Sequence, residues 1–191
     1  MGKITTSDIR NGLNILLDGN IYSVVEFLHV KPGKGGAFVR TKVKGVVNNK
    51  VLDRTFKTGE TLESVRVERH PYQFLYKDSD FMHFMHIETY EQIMIGSDKV
   101  AGSEFLKESG EVTIAINADE NVILFAEVPN HVELLVVQTD PGVRGDTAQG
   151  ASKPATLESG AMINVPLFIN EGDVLRVDTR ERSYIERVKN N

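Results

Sequence analysis

The chain of 191 residues contains no cysteine, which excludes a disulfide framework and any thiolate metal site and fits a reducing compartment. No apolar run approaches the roughly 20 residues that a membrane-spanning helix requires. The first stretch, MGKITTSDIRNGLNILLDGN, scatters charges where a secretory signal carries a continuous apolar core. Gly2 and Thr6 meet the loose N-myristoylation pattern, which recurs by chance. These absences predict a soluble, cytoplasmic protein without a membrane partner. HExxH and GxSxG patterns are missing as well. The segment GKGG lacks the upstream glycine and the following Ser or Thr of a phosphate-binding loop. Of the five histidines, His83 and His86 stand three apart, a chelating interval on a helix but one that points to opposite faces of a strand. Their setting, FMHFMH, is strand-like. No catalytic residue, metal site or cofactor is expected.

Negative charge dominates the total, at −5, which argues against a polyanionic partner until its distribution is considered. Residues 1–64 hold ten basic and six acidic side chains, residues 65–127 five and twelve, and residues 128–191 seven and nine. Between 31 and 57 there are eight Lys or Arg and a single acid, Asp53. A basic patch on an acidic body can bind nucleic acid, because local fields rather than totals govern polyanion binding.

Strand signals run throughout. Two apolar runs in LNILLDGNIYSVVEFLHV are joined by Asp18-Gly19, a tight-hairpin signal. In AFVRTKVKG the period is two, so Phe38, Arg40, Lys42 and Lys44 share one strand face and Val39, Thr41 and Val43 the other. Asn48-Asn49 marks the next turn. A boundary falls near Val65–Arg69, followed by hairpins turning at Lys77–Asp80 and Asn117–Asn121. SDKVAGSEFLKESG, from Ser97, is the best helix candidate. HVELLVVQTDPG, AMINVPLFI and DVLRVDTRERSYIERV read as strands around a long loop from Gly142 to Gly160. The expectation is an all-β chain of three small barrels, residues 1–64, 65–127 and 128–191, each near the lower size limit for independent folding. Within the long loop, Arg144–Asp146 spells the adhesion tripeptide RGD, which three residues produce too often by chance to carry meaning.

The stretch HVKPGKGGAFVRTKVKGV, His29 to Val46, is the strongest functional signal. Pro32 and three glycines let the backbone turn tightly and approach another surface without Cβ clashes. The flanks form a paired, stiff arm that advances about 3.3 Å per residue. Arg40, Lys42 and Lys44 line that arm, placed to meet phosphates, which position a protein on RNA without reading its sequence. Lys34 at the tip reads as a probe held out towards a nucleic-acid cavity.

At this point the chain resembles the bacterial elongation factor P family from end to end. KPGKGGAF matches the family's tip loop. KPATLESGAMINVPLFINEG, Lys153 to Gly172, matches its pattern of Lys, Ala, Gly, Val-Pro and Gly. GDVLRVDTRERSYIERV matches its C-terminal strand pair. The resemblance implies a KOW/SH3-like N-terminal domain and two OB-fold barrels in an L-shaped, tRNA-like arrangement. It implies binding to the ribosome between the peptidyl and exit sites, and rescue of synthesis stalled on consecutive prolines. Lys34 is then the post-translationally modified residue, with Lys31, Pro32, Gly33, Gly35 and Gly36 completing the loop that faces peptidyl-tRNA. Arg144, Gly145, Asp146 and Thr147, a Gly-Asp-Thr variant of the family's motif, fall in the loop that lies near the exit-site codon of the mRNA. Implied partners are the ribosome, proline and initiator tRNA, the mRNA and a lysine-modifying enzyme, with the factor itself a monomer and not an enzyme. A paralogue of the family with another role, or a different RNA-binding β-barrel regulatory protein, is the alternative.

Overall fold

Asp18 and Gly19 sit at φ 49° and 77°, two consecutive positive values that match the right-handed twist of the strands they join. In this computed structural model, which describes residues 1–142 and 151–188, that turn connects β2 (Asn14–Leu17) to β3 (Asn20–Val30), with Leu17 opposite Asn20. The first sheet adds β1 (Gly2–Thr5), β4 (Phe38–Gly45), β5 (Val51–Lys57) and β6 (Thr61–Ser64), in the order β1-β6-β2-β3-β4-β5. Alternation does what period two requires. Val39, Thr41 and Val43 are buried while Arg40 and Lys44 face out. Ile15, Val24, Val39 and Val43 form the centre of the core with Tyr22, Phe56 and Leu62, each large apolar side chain contributing about 1.5–3 kcal/mol by its burial.

The second sheet comprises β7 (Val67–Lys77), β8 (Phe81–His86), β9 (Gln92–Gly96), β10 (Val100–Ala101), β11 (Glu111–Asn117) and β12 (Val122–Glu127). Its order is β10-β12-β11-β7-β8-β9. The third comprises β13 (His131–Thr139), β14 (Ser152–Leu157), β15 (Met162–Pro166), β16 (Val174–Asp178) and β17 (Ser183–Arg187), ordered β15-β14-β13-β16-β17. Each sheet has one long strand with a register break beside it, at Val24/Glu26, Phe74/Tyr76 and Val136/Gln138. A bulge bends its strand and increases the local twist, and the first and third sheets each close over a buried cluster. By contacts the chain divides into two compact units, residues 1–69 with 115–125, and residues 70–114 with 126–191. The fold is all-β, as expected, with no α-helix among the described residues.

Two local expectations are corrected. The segment from Ser97 is not a helix but two single 3-10 turns, Ser97–Lys99 and Ser103–Phe105, separated by the short β10. Gly102 between them has φ +77°, a left-handed conformation that ends helical propagation. The expected loop from Gly142 to Gly160 is also shorter, because Ser152–Leu157 is β14, paired with both β13 and β15.

The motif Lys153 to Gly172 is explained by packing. Ala155 and Val165 are buried in the third core, Gly160 and Gly172 adopt φ +87° and +89°, and buried Lys153 donates to the Asp140 carbonyl at 2.5 Å. The C-terminal strand pair is tied by Asp178, whose carboxylate accepts from the Arg180 guanidinium at 2.9 Å and from the backbone N–H groups of Arg180 and Glu181 at 2.9 and 3.1 Å. The Arg180 hydrogen bond, then the Glu181 backbone bond, hold the Asp178 pKa well below the usual carboxylate range. A depressed folded-state pKa stabilises the protein above the unfolded value, about 3.9, and that contribution is lost as pH falls through the folded value. Asp178→Asn is therefore expected to lower Tm at pH 7, and the deficit relative to wild type is expected to shrink below about pH 4. Thermal unfolding between pH 7 and pH 2 checks this; a deficit independent of pH would contradict it.

Candidate nucleic-acid interface

A register fixed by hydrophobic alternation delivers the loop 31–37. On β3 and β4, Leu28 pairs with Arg40, His29 with Val39 and Val30 with Phe38, so the two strands hold their pairing up to the loop. Every residue from Lys31 to Gly36 is exposed. Gly35 has φ +109°, a value that side chains disfavour. A Cβ at Gly33 or Gly36 would meet nothing within 4 Å. Those two glycines leave bare backbone on an open surface, with no internal packing to explain them. Lys34 makes no hydrogen bond or ion pair among the described residues.

The basic face of β4 is uneven. Lys42 lies 3.3 Å from Glu26 and pairs in register with Asp53 on β5. Its ammonium is paired by Glu26, with Asp53 opposite on the other neighbouring strand. Arg40 pairs with Leu28 and Thr55, and Lys44 with Ser23 and Val51, so neither faces a carboxylate directly across the sheet. Neither forms an ion pair among the described residues. An exposed ion pair contributes only about 0–1 kcal/mol to stability, yet it removes a cation from the field that a phosphate meets. Of the three cations that spacing nominated, Arg40 and Lys44 are the two without an ion pair among the described residues.

The sequence reading overlooked two features here. Beyond its bulge, β3 is exposed on both faces, with Leu28 60% and Val25 41% accessible and Phe27 edge-on to His29 at 5.7 Å. Lys57, at the end of β5, pairs with Phe38 and so stands on the same outer face as Arg40.

Arg144, Gly145, Asp146 and Thr147 lie outside the described residues. The base of their loop is firmly built. The Thr139 hydroxyl donates to the Pro154 carbonyl at 2.8 Å, and the Thr139 N–H to Glu171 at 3.2 Å. A Cβ on Gly142 would sit 2.4 Å from the Leu167 carbonyl oxygen, so only glycine fits there.

The histidines have separate occupations. His83 lies 2.8 Å from Asp78 and stacks on Tyr76 with ring centroids 4.3 Å apart. The His86 Nδ1 accepts from the Glu88 and Thr89 N–H groups. Among the described residues no three His, Cys, Asp or Glu side chains gather as metal ligands, and no helix is long and apolar enough to cross a membrane. A cavity of about 650 Å³ in the second unit is lined by Phe74, Tyr76, Met82, Leu106, Lys107 and Glu158. Its Lys107 and Glu158 are paired to each other at 3.0 Å.

Comparison with known proteins follows the three sheets. Residues 5–62 match the elongation factor P (EF-P) KOW-like domain, residues 67–124 the elongation factor P OB domain, and residues 132–187 the elongation factor P C-terminal family. The protein named elongation factor P of Azobacteroides pseudotrichonymphae is 52% identical over 185 residues, 97% of this chain and 99% of its own. That of Salinibacter ruber is 53% identical over 183 residues, 96% of this chain and 95% of its own. Among solved structures, the eukaryotic translation initiation factor 5A from Methanococcus jannaschii aligns with a TM-score of 0.49 at 23% identity, covering 65% of this chain and 95% of its own.

Proposed function

The chain belongs to the elongation factor P family of translation elongation factors, and from that premise we propose that it binds the ribosome between the peptidyl and exit sites and accelerates peptide-bond formation at consecutive prolines. Proline is a rigid secondary amine and a poor nucleophile, and a proline-rich nascent chain draws peptidyl-tRNA out of reactive geometry. The ribosome supplies the catalytic centre. Holding the acceptor end of the tRNA in a near-attack arrangement lowers the entropic part of the barrier without acid–base groups. On this reading the protein is a cytoplasmic, monomeric binding factor and not an enzyme.

The observation that carries the reading is the exposed, unpartnered Lys34 at the tip of a paired arm whose outer face bears Arg40 and Lys44. Lys34 is assigned as the site of post-translational extension by a separate lysine-modifying enzyme. Lys31, Pro32, Gly33, Gly35 and Gly36 form the loop around the acceptor end of peptidyl-tRNA, with proline and initiator tRNA the preferred species. The three sheets are taken as three domains, bounded at residues 64 and 127. The loop that includes Arg144, Gly145, Asp146 and Thr147 is assigned to the mRNA near the exit site. The acidic stretch 65–127 repels RNA and keeps binding reversible.

Sedimentation with ribosomes halted on a proline run tests the placement. The protein is expected to co-sediment with these in preference to ribosomes whose exit site is filled by tRNA. Equal binding to both would contradict the site.

A further inference from the structure

We infer that Phe38, Arg40 and Lys57 form a seat for one unpaired nucleotide at the base of the tip loop, with the base stacked on Phe38 and its phosphate held between the two cations. The inference rests on the proposed function, which it deepens by giving roles to Phe38 and Lys57 beside Arg40, the one member that the basic spacing already names.

Three observations carry it. First, the register places all three on one face. Phe38 pairs with Lys57 and Arg40 with Thr55 across β4 and β5, so Arg40 and Lys57 are diagonal neighbours, about 7–8 Å apart at the backbone. Both have side chains long enough to converge on one phosphate. Second, both cations are available. Among the described residues neither forms an ion pair, whereas Lys42 on the same face is held by Glu26 at 3.3 Å. The nearby Glu60 carboxylate is engaged by the Lys57 backbone N–H at 2.8 Å. Third, the seat is braced against the loop that presents Lys34. The Thr58 N–H donates to the Ala37 carbonyl at 3.0 Å, which links the end of β5 to the residue just before Phe38.

Phe38 is the unusual member. It lies on the outer face of its strand, partly exposed, while alternate positions Val39, Thr41 and Val43 supply the core. A partly exposed aromatic ring flanked by two uncommitted cations is the composition of a single-strand platform, where base stacking is sequence-tolerant and the cations hold the backbone. A double helix keeps its base faces stacked inside, so the seat selects an unpaired end.

The test compares the full-length protein with Phe38→Leu, Lys57→Gln, Arg40→Gln and Lys42→Gln in binding to ribosomes halted on a proline run, each across a salt series. Phe38→Leu keeps an apolar side chain and loses the stacking ring, and is expected to weaken binding about tenfold. Lys57→Gln and Arg40→Gln are each expected to lower the log–log salt slope, and the two together by no more than about one, the share of a single phosphate. Their combination is expected to weaken binding less than the product of the single effects, because they share one phosphate. Lys42→Gln is expected to leave the slope unchanged. Wild-type affinity and slope in both Phe38→Leu and Lys57→Gln, with the wild-type protein binding selectively, would overturn the seat alone. Loss of selectivity in the wild-type protein would overturn the function and the seat with it. If Phe38→Leu lowers Tm, the Lys57→Gln slope decides, since Lys57 is exposed and outside the core.

Discussion

Replacing Lys34 by alanine is expected to abolish the acceleration of synthesis through consecutive prolines while leaving Tm unchanged. Lys34 is exposed and makes no bond among the described residues, and surface substitutions of this kind alter stability by no more than about 0.5 kcal/mol. The whole effect should therefore fall on function. Lys34→Arg separates charge from chemistry. Arginine retains the positive charge and donors but offers no amine to a lysine-modifying enzyme, so it should restore little if the extended side chain is what reaches the tRNA. Timed synthesis of a reporter with three prolines, beside a reporter without them, measures both variants. Full activity in Lys34→Ala would remove the tip from the mechanism.

The largest stability effect is expected from Phe105→Ala. Phe105 belongs to the short 3-10 turn Ser103–Phe105 between β10 and β11, yet its ring is 1% exposed and joins the core built by Leu134, Val136, Leu157, Val165, Leu175 and Val177 of the third sheet. Its neighbours fasten the same segment. Glu104 pairs with Arg182 at 2.9 Å, and Lys107 bonds both the Glu158 carboxylate at 3.0 Å and the Glu133 carbonyl at 3.2 Å. Removing a buried phenyl ring from such a site costs about 3–5 kcal/mol, a large part of the roughly 5–15 kcal/mol that holds a domain together. Urea unfolding should show the midpoint fall accordingly. A loss below about 1 kcal/mol would mean that the third sheet closes its core without this side chain.

That plug also shows where sequence reading ran short. The segment around Phe105 carries charges and small residues compatible with a helix, but its buried residues Val100, Phe105 and Leu106 do not fall on one 3.6-residue face. With Gly102 at positive φ the segment turns twice instead of coiling once. In β14, Pro154 concealed the strand. Proline lacks the ladder donor, and here its carbonyl accepts the Thr139 hydroxyl beyond the Thr139↔Ala155 pair that ends the β13 register. By contrast, the hairpin at Asp18-Gly19 and the alternation in β4 were legible, since both follow from local geometry: positive φ at a two-residue turn, and a period of two on a half-buried strand.

The site divides in the same way. The placement of Lys34, Arg40 and Lys44 on one hairpin could be read from the chain, because proximity in sequence is proximity along that hairpin. That Lys42 pairs with Glu26 could not, because the pairing joins positions 16 apart through a bulged register. Lys57 was likewise hidden, 19 positions from Phe38 in the chain and directly opposite it in the sheet.

The most direct test of the central claim is the single-turnover rate of one proline–proline peptide bond on ribosomes carrying peptidyl-prolyl-tRNA, with and without the protein purified from its own cells. The protein is expected to raise the rate of that bond and to leave a bond between two non-proline residues unchanged, as positioning of a slow reactant requires. An unchanged proline–proline rate with the protein bound would contradict the account, and would assign the chain a role in the family other than the rescue of proline synthesis.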